Sequence, residues 1–176
     1  MLSEVCTLLV DDYYEHQGVV FYGSPASIWV REQNGMGFQG DSHMLKKRHW
    51  NDMVHRLRKR PCDILITHGP PRAENGGHFF LDRVFFGLHV GCAALSEAIK
   101  TLWKEGKAPK FHIFGHIHEG YGSARGLGPD TATDTTFVNA ASCTLLYEIK
   151  HEPVIFDTLV DKVKSGAVQR KVTAKM

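Results

Sequence analysis

The sequence is short of several things, and each shortage removes a class of protein. No apolar run among its 176 residues approaches the ~18 that a membrane-crossing helix needs, so no membrane span is expected. Cysteine occurs only four times (Cys6, Cys62, Cys92, Cys143), widely spaced and with no C-x-x-C pair. That usage suits a reducing compartment and argues against a disulfide framework. The opening MLSEVCTLLVDDYYEH has no basic n-region, and acids interrupt its apolar stretch, so it does not read as a signal peptide. No repeat is visible at periods of 20–50 residues. Residues 162–176 carry five Lys or Arg and no acid, while the rest of the chain sums to −3 beneath an overall +2. A mildly acidic body (1–161) with a short basic tail (162–176) indicates no nucleic-acid surface, and the tail is read as solvated.

What is present is ordinary globular material, with 43% hydrophobic and 23% charged side chains in a length typical of one domain. Runs rich in Val, Ile, Phe and Thr predict strands at Cys6–Val10, Val19–Gly23, Asp63–Thr67, Lys110–Phe114, Thr135–Asn139, Cys143–Ile149 and Val154–Asp157. Helical spacing predicts Leu45–Arg58 and Cys92–Lys104, the second opened by Gly91 and closed by Gly106. The order implies an α/β fold, with βαβ units first and an antiparallel meander last. Gly120–Thr133 is predicted as a long glycine-rich loop.

Histidine is the excess, at 11 residues, and it raises the expectation of metal or acid–base chemistry. Two predicted strands each end in histidine: Thr67-His68-Gly69-Pro70 and Phe114-Gly115-His116-Ile117-His118. Sites in sheet-based α/β proteins lie just beyond the carboxyl ends of strands. A metal needs neutral imidazoles or carboxylates converging from different segments on rigid backbone, and His68, His116 and His118 are placed for that. In extended backbone His116 and His118 point to one side; a turn there would aim them at two adjacent metals.

These segments resemble the calcineurin-like metallophosphoesterases, in the small branch similar to mammalian metallophosphoesterase-domain proteins. The resemblance rests on Phe21–Pro25, Asp63–Pro71 (DILITHGPP), Leu81-Asp82-Arg83, Gly87–Cys92, Phe114–Gly122 (FGHIHEGYG), Val138–Ser142 and Pro153–Asp157, and spans about residues 18–158. It implies a β-sandwich flanked by helices and a phosphoester hydrolase, with phosphodiesters among its substrates. It also implies two divalent ions (Mn2+, Fe2+ or Zn2+) that generate the nucleophile and neutralise charge on the phosphoryl oxygens. Carried over residue by residue, His68 and His116 resemble ligands of one metal and His118 of the other. His89, before a helix start, is expected to touch a phosphate, with loop packing as its alternative. Asn139 is expected to contact substrate or to hold a turn beside the site. Glu119 is expected to orient a neighbouring histidine or to be an exposed loop acid.

The family pattern also has an earlier half, D-x-H, then G-D, then G-N-H-[DE], and this sequence does not contain it. Its one literal D-x-H, Asp41-Ser42-His43, follows the Gly23-Ser24-Pro25 match instead of preceding it and is read as coincidence. The N-terminal strands of the sandwich are therefore expected to be missing. Three imidazoles shared between two ions bind weakly, and nothing fixes the ions ~3.5–4 Å apart. The expected chain is a partial metallophosphoesterase with weak metal binding and poor activity, its exposed apolar surface favouring self-association. A non-catalytic scaffold is the alternative. The cytoplasm is the expected location, with a peroxisome-type address in Ala174-Lys175-Met176 as the other reading.

Overall fold

The computed structural model of the chain describes residues 5–28, 38–73, 79–127, 134–162 and 168–174. In chain order the elements begin with β1 (Asp12–His16), β2 (Val19–Ser24), β3 (Ser27–Ile28) and β4 (Gln39–Gly40). A helical stretch follows: α1 (Ser42–Leu45), a π-helical turn (Lys46–Trp50) and α2 (Asn51–Lys59). Then come β5 (Ile64–Thr67), β6 (Arg83–Val84), β7 (Leu88–His89), α3 (Ala93–Lys104) and β8 (Phe111–Phe114). The last are β9 (Gly122–Arg125), β10 (Thr136–Asn139), β11 (Phe156–Lys162) and β12 (Val168–Ala174).

Six strands form one mixed sheet in the order β1-β2-β5-β8-β10-β9. The four central strands are mutually parallel, and β1 and β9 close the edges antiparallel. The α/β class is therefore the observed one. Because β2, β5 and β8 advance in one direction across the sheet, same-handed crossovers lay their helices on the same face. That face is the main core: Val20, Tyr22, Leu65 and Phe137 pack against Leu45, Trp50, Leu57, Leu95, Ile99 and Leu102, all buried. Strand alternation sends Val19, Ile64, Phe111 and Val138 to the opposite face, where Phe156 stacks on Phe111 at 4.6 Å and Val154 packs alongside. Farther along this face Tyr14 and Ile66 stand open to solvent at 40% and 36% exposure. The parallel strands also bring the carboxyl ends of β2, β5, β8 and β10 to one edge, from which the loops carrying His68 and His116 leave.

Several sequence expectations are corrected. Cys6–Val10 is not a strand; the first strand is β1, whose polar DYYEH pairs with β2 across Gln17-Gly18. Both turn residues are left-handed (φ 49° and 77°), as a two-residue hairpin turn requires. Cys143–Ile149 is not a strand either. Its ends meet in a single bridge around a tight turn in which Thr144 N–H donates to Glu148 O. The C-terminal meander is thereby lost, since β10 pairs with β8 in parallel and with β9 antiparallel. Part of the glycine-rich stretch 120–133 forms β9, and residues 128–133 lie outside the described residues. Backbone 168–174 of the basic tail pairs with β11 as β12; Lys175 and Met176 lie outside the described residues. The predicted Leu45–Arg58 helix begins three residues earlier, where the Asp41 carboxylate accepts from Met44 N–H at 2.8 Å. Asp41 thus has a capping task, as its place before a helix implies. Among the described residues no helix is long and apolar enough to cross a membrane.

Candidate functional site

The loops after β5, β8 and β10 meet at the carboxyl edge and enclose a cleft of about 850 Å³, walled by His68, His116, His118, Phe38, Leu145 and Tyr147. His68 O accepts from Gly115 N–H at 3.1 Å, tying the first two loops together. Gly69 leaves room for the neighbouring ring: a Cβ there would lie 3.7 Å from His116 Cδ2. His116 sits at φ 71°, inside a three-residue turn closed by Ile117 N–H donating to Gly115 O at 2.9 Å. Such a turn is strained for a residue with a side chain, and strain of this kind gathers at functional sites. It is the turn that the H-x-H spacing left open.

The result is a facing pair of imidazoles. His68 Nε2 and His116 Nδ1 are 3.3 Å apart, with ring centroids at 4.8 Å. Desolvation, then the neighbouring His68 and His118, holds the His116 pKa below the ordinary imidazole value, although its residue surface is open at the cleft mouth. The neutral form that a metal requires is thereby favoured. His118 donates from Nδ1 to Thr144 O at 2.9 Å, which fixes its tautomer and leaves Nε2 as the nitrogen with the lone pair. Tyr147, at φ 58°, sets its ring edge-on to His118 at 5.2 Å. The lone pairs suit a first-row divalent ion, but the fit is partial. Among the described residues no three His, Cys, Asp or Glu side chains converge on one point. His68 and His116 offer two nitrogens side by side, and His118 is not gathered with them around a single point.

The other predicted residues lie beneath the cleft or beside it. Asn139 is fully buried, and its amide is spent on backbone: Nδ2 donates to Leu81 O (2.9 Å) and Ile117 O (2.7 Å), while Oδ1 accepts from Ala141 N–H (3.0 Å). Its side chain thus ties the turn into Ala141 to the segments around Leu81 and Ile117. His89 donates from Nδ1 to the wholly buried Asp82 at 2.7 Å, and its Nε2 accepts from Arg83 Nε at 3.3 Å. With both nitrogens engaged, His89 packs into its loop. Glu119 lines the cleft and is exposed.

Two polar residues under the site have no role assigned by the sequence patterns. Asp82 accepts from Ala73 N–H (3.0 Å), Gly91 N–H (3.3 Å) and His89, and so gathers the loop between β5 and α3. His112 is buried in β8 between Phe114 and Phe137, with ring centroids 5.0 and 5.6 Å away. Alternation in KFHIF was the available signal, since it turns His112 away from Phe111 and Ile113. Burial lowers the His112 pKa to about 3. In the unfolded chain both His112 and His116 take up protons near pH 6.5, whereas in the folded chain they resist, so folding is strongest above that pH. Stability is expected to fall as pH drops below 6.5, with His112 alone steepening the loss by up to about 1.4 kcal/mol per pH unit. Urea midpoints at pH 7 and pH 5 check this; equal midpoints contradict it.

No protein-family model matches the chain. Individual proteins do. A UPF0046 protein of Caenorhabditis elegans is 34% identical over 154 residues, covering 86% of this chain and 47% of its own length. Metallophosphoesterase domain-containing protein 1 of Homo sapiens is 36% identical over 153 residues, covering 86% of this chain and 40% of its own length. This chain is metallophosphoesterase-like. A second UPF0046 protein of Caenorhabditis elegans is 35% identical over 149 residues, or 32% of its length. The chain spans less than half the length of these curated relatives.

Proposed function

We propose that this chain is the histidine-bearing portion of a divalent-metal-dependent phosphoesterase acting on small phosphoesters, phosphodiesters among them. The observation that carries the reading is the His68–His116 pair, two imidazoles from different loops facing each other at 3.3 Å over an open cleft. In this reading His68 offers Nε2 and His116 Nδ1 to one ion, and His118 offers Nε2 to a second. Mn2+, Fe2+ or Zn2+ would supply the activated water and the charge neutralisation that phosphoryl transfer needs. The single sheet described above would be one layer of a sandwich, its sparsely covered face, with Tyr14 and Ile66, being where another layer or a second copy of the chain packs.

The test is hydrolysis of bis-p-nitrophenyl phosphate by the purified chain in Mn2+. A slow, chelator-sensitive rate is expected, and His116→Ala should lower it at least about tenfold, a loss that even outer-shell changes at metal sites produce. A rate equal in His116→Ala and indifferent to chelator would end the proposal.

A further inference from the structure

The sequence motif that offers His68 is short, and what stiffens it lies one layer down. Thr67 Oγ1 is 2.8 Å from Gly69 O and 2.8 Å from His112 Nε2. A hydroxyl has one proton, and a carbonyl oxygen can only accept, so Thr67 donates to Gly69 O. Thr67 Oγ1 must then accept, and His112 must be the tautomer protonated at Nε2. The chain of donors is complete: His112 Nε2–H to Thr67 Oγ1–H to Gly69 O. It spans the residue between Thr67 and Gly69, which is His68, and its last link fixes the glycine on which the His116 ring rests.

The arrangement has a cost that packing does not explain. With its one proton at Nε2, His112 is left with a bare Nδ1 that is buried and has no partner among the described residues. An apolar residue between Phe114 and Phe137 would avoid that penalty. Placing histidine there makes sense as a donor to Thr67. Asn139 holds Ile117, between His116 and His118, in the same manner.

We propose that His112 is a positioning residue: acting through Thr67, it sets the orientation of His68 relative to His116. The proposal rests on the reading of that pair as metal donors, but its test does not depend on hydrolysis. His112→Leu removes the donor and retains an apolar filling. His112→Gln restores an N–H at the reach of Nε2. Thr67→Val cuts the middle link with little change in volume. The readouts are the imidazole 15N shifts of His68 and His116 in 15N-histidine-labelled protein, Zn2+ titration by calorimetry, and the thermal midpoint of each variant.

His112→Leu and Thr67→Val should move the His68 and His116 15N shifts and weaken Zn2+ binding about tenfold or more, as outer-shell losses do. His112→Gln should return both readouts to within about threefold of the parent. The His112→Leu midpoint should match or exceed the parent's, which a purely structural role for His112 would not allow. Unchanged shifts in His112→Leu, or a His112→Gln no better than His112→Leu, would overturn the proposal. If no variant hydrolyses phosphoester, the proposed function fails while the shifts and the Zn2+ titration still decide the role of His112. If the parent takes up no Zn2+, the shifts alone decide it.

Discussion

Asp82→Ala is expected to lower the unfolding free energy by about 3–5 kcal/mol, the range for removing one partner from a buried charged network. Asp82 has no solvent exposure, and its two oxygens accept from Ala73 N–H, Gly91 N–H and His89. Alanine would leave all three donors without their acceptor, the Gly91 N–H in a buried position. The backbone bond from Val90 N–H to Asp82 O at 3.0 Å shows how tightly this loop is folded on itself, so no easy relaxation is open to it. Asp82→Asn, which retains an acceptor, should cost less. Guanidinium denaturation of the two variants measures both, and a loss under about 1 kcal/mol for Asp82→Ala would mean that the loop rearranges or admits water.

Gly120→Ala is the second large effect. A Cβ at Gly120 would lie 2.3 Å from Leu81 O and 3.0 Å from Asn139 Nδ2. The first of these is backbone and cannot swing away, so the segments holding Leu81 and Gly120 must part. Parting them also pulls apart the Asn139–Leu81 hydrogen bond. The expected loss is about 3 kcal/mol, at the upper end for overpacking. Gly69→Ala is the contrast, because its Cβ would meet nothing nearer than 3.7 Å and should cost under about 1 kcal/mol. Thermal denaturation of both variants reads the difference, and equal midpoints would contradict the packing argument.

The sequence patterns carried the central fold well. β2, β5, β8, β10 and the two long helical stretches fall where apolar runs and helical spacing predict them, because each is pinned by burial on the core face. They failed at the edges. β1 is polar and lies at a sheet edge, so its strand state comes from pairing and from the left-handed Gln17-Gly18 turn, not from its own side chains. Cys143–Ile149 has the composition of a strand, yet Tyr147 takes a left-handed conformation that folds it into a turn over His118. The motif resemblance singled out His68, His116 and His118, which line one cleft. Two of their supports were not legible, since Asp82 and His112 act through contacts between segments distant in sequence, the Thr67–His112 contact crossing 45 positions. Local pattern has no access to such a bond.

Three of the bulky residues held in left-handed backbone, Phe38, His116 and Tyr147, stand around the same cleft. Each such conformation costs roughly 1–2 kcal/mol that glycine would not incur. A laboratory selection for heat resistance alone would therefore find gains at the rim of the cleft, through Phe38→Gly and Tyr147→Gly. A selection that also demanded ligand capture would hold those positions fixed. Running the two selections in parallel would turn backbone strain into a map of which wall residues the chain uses.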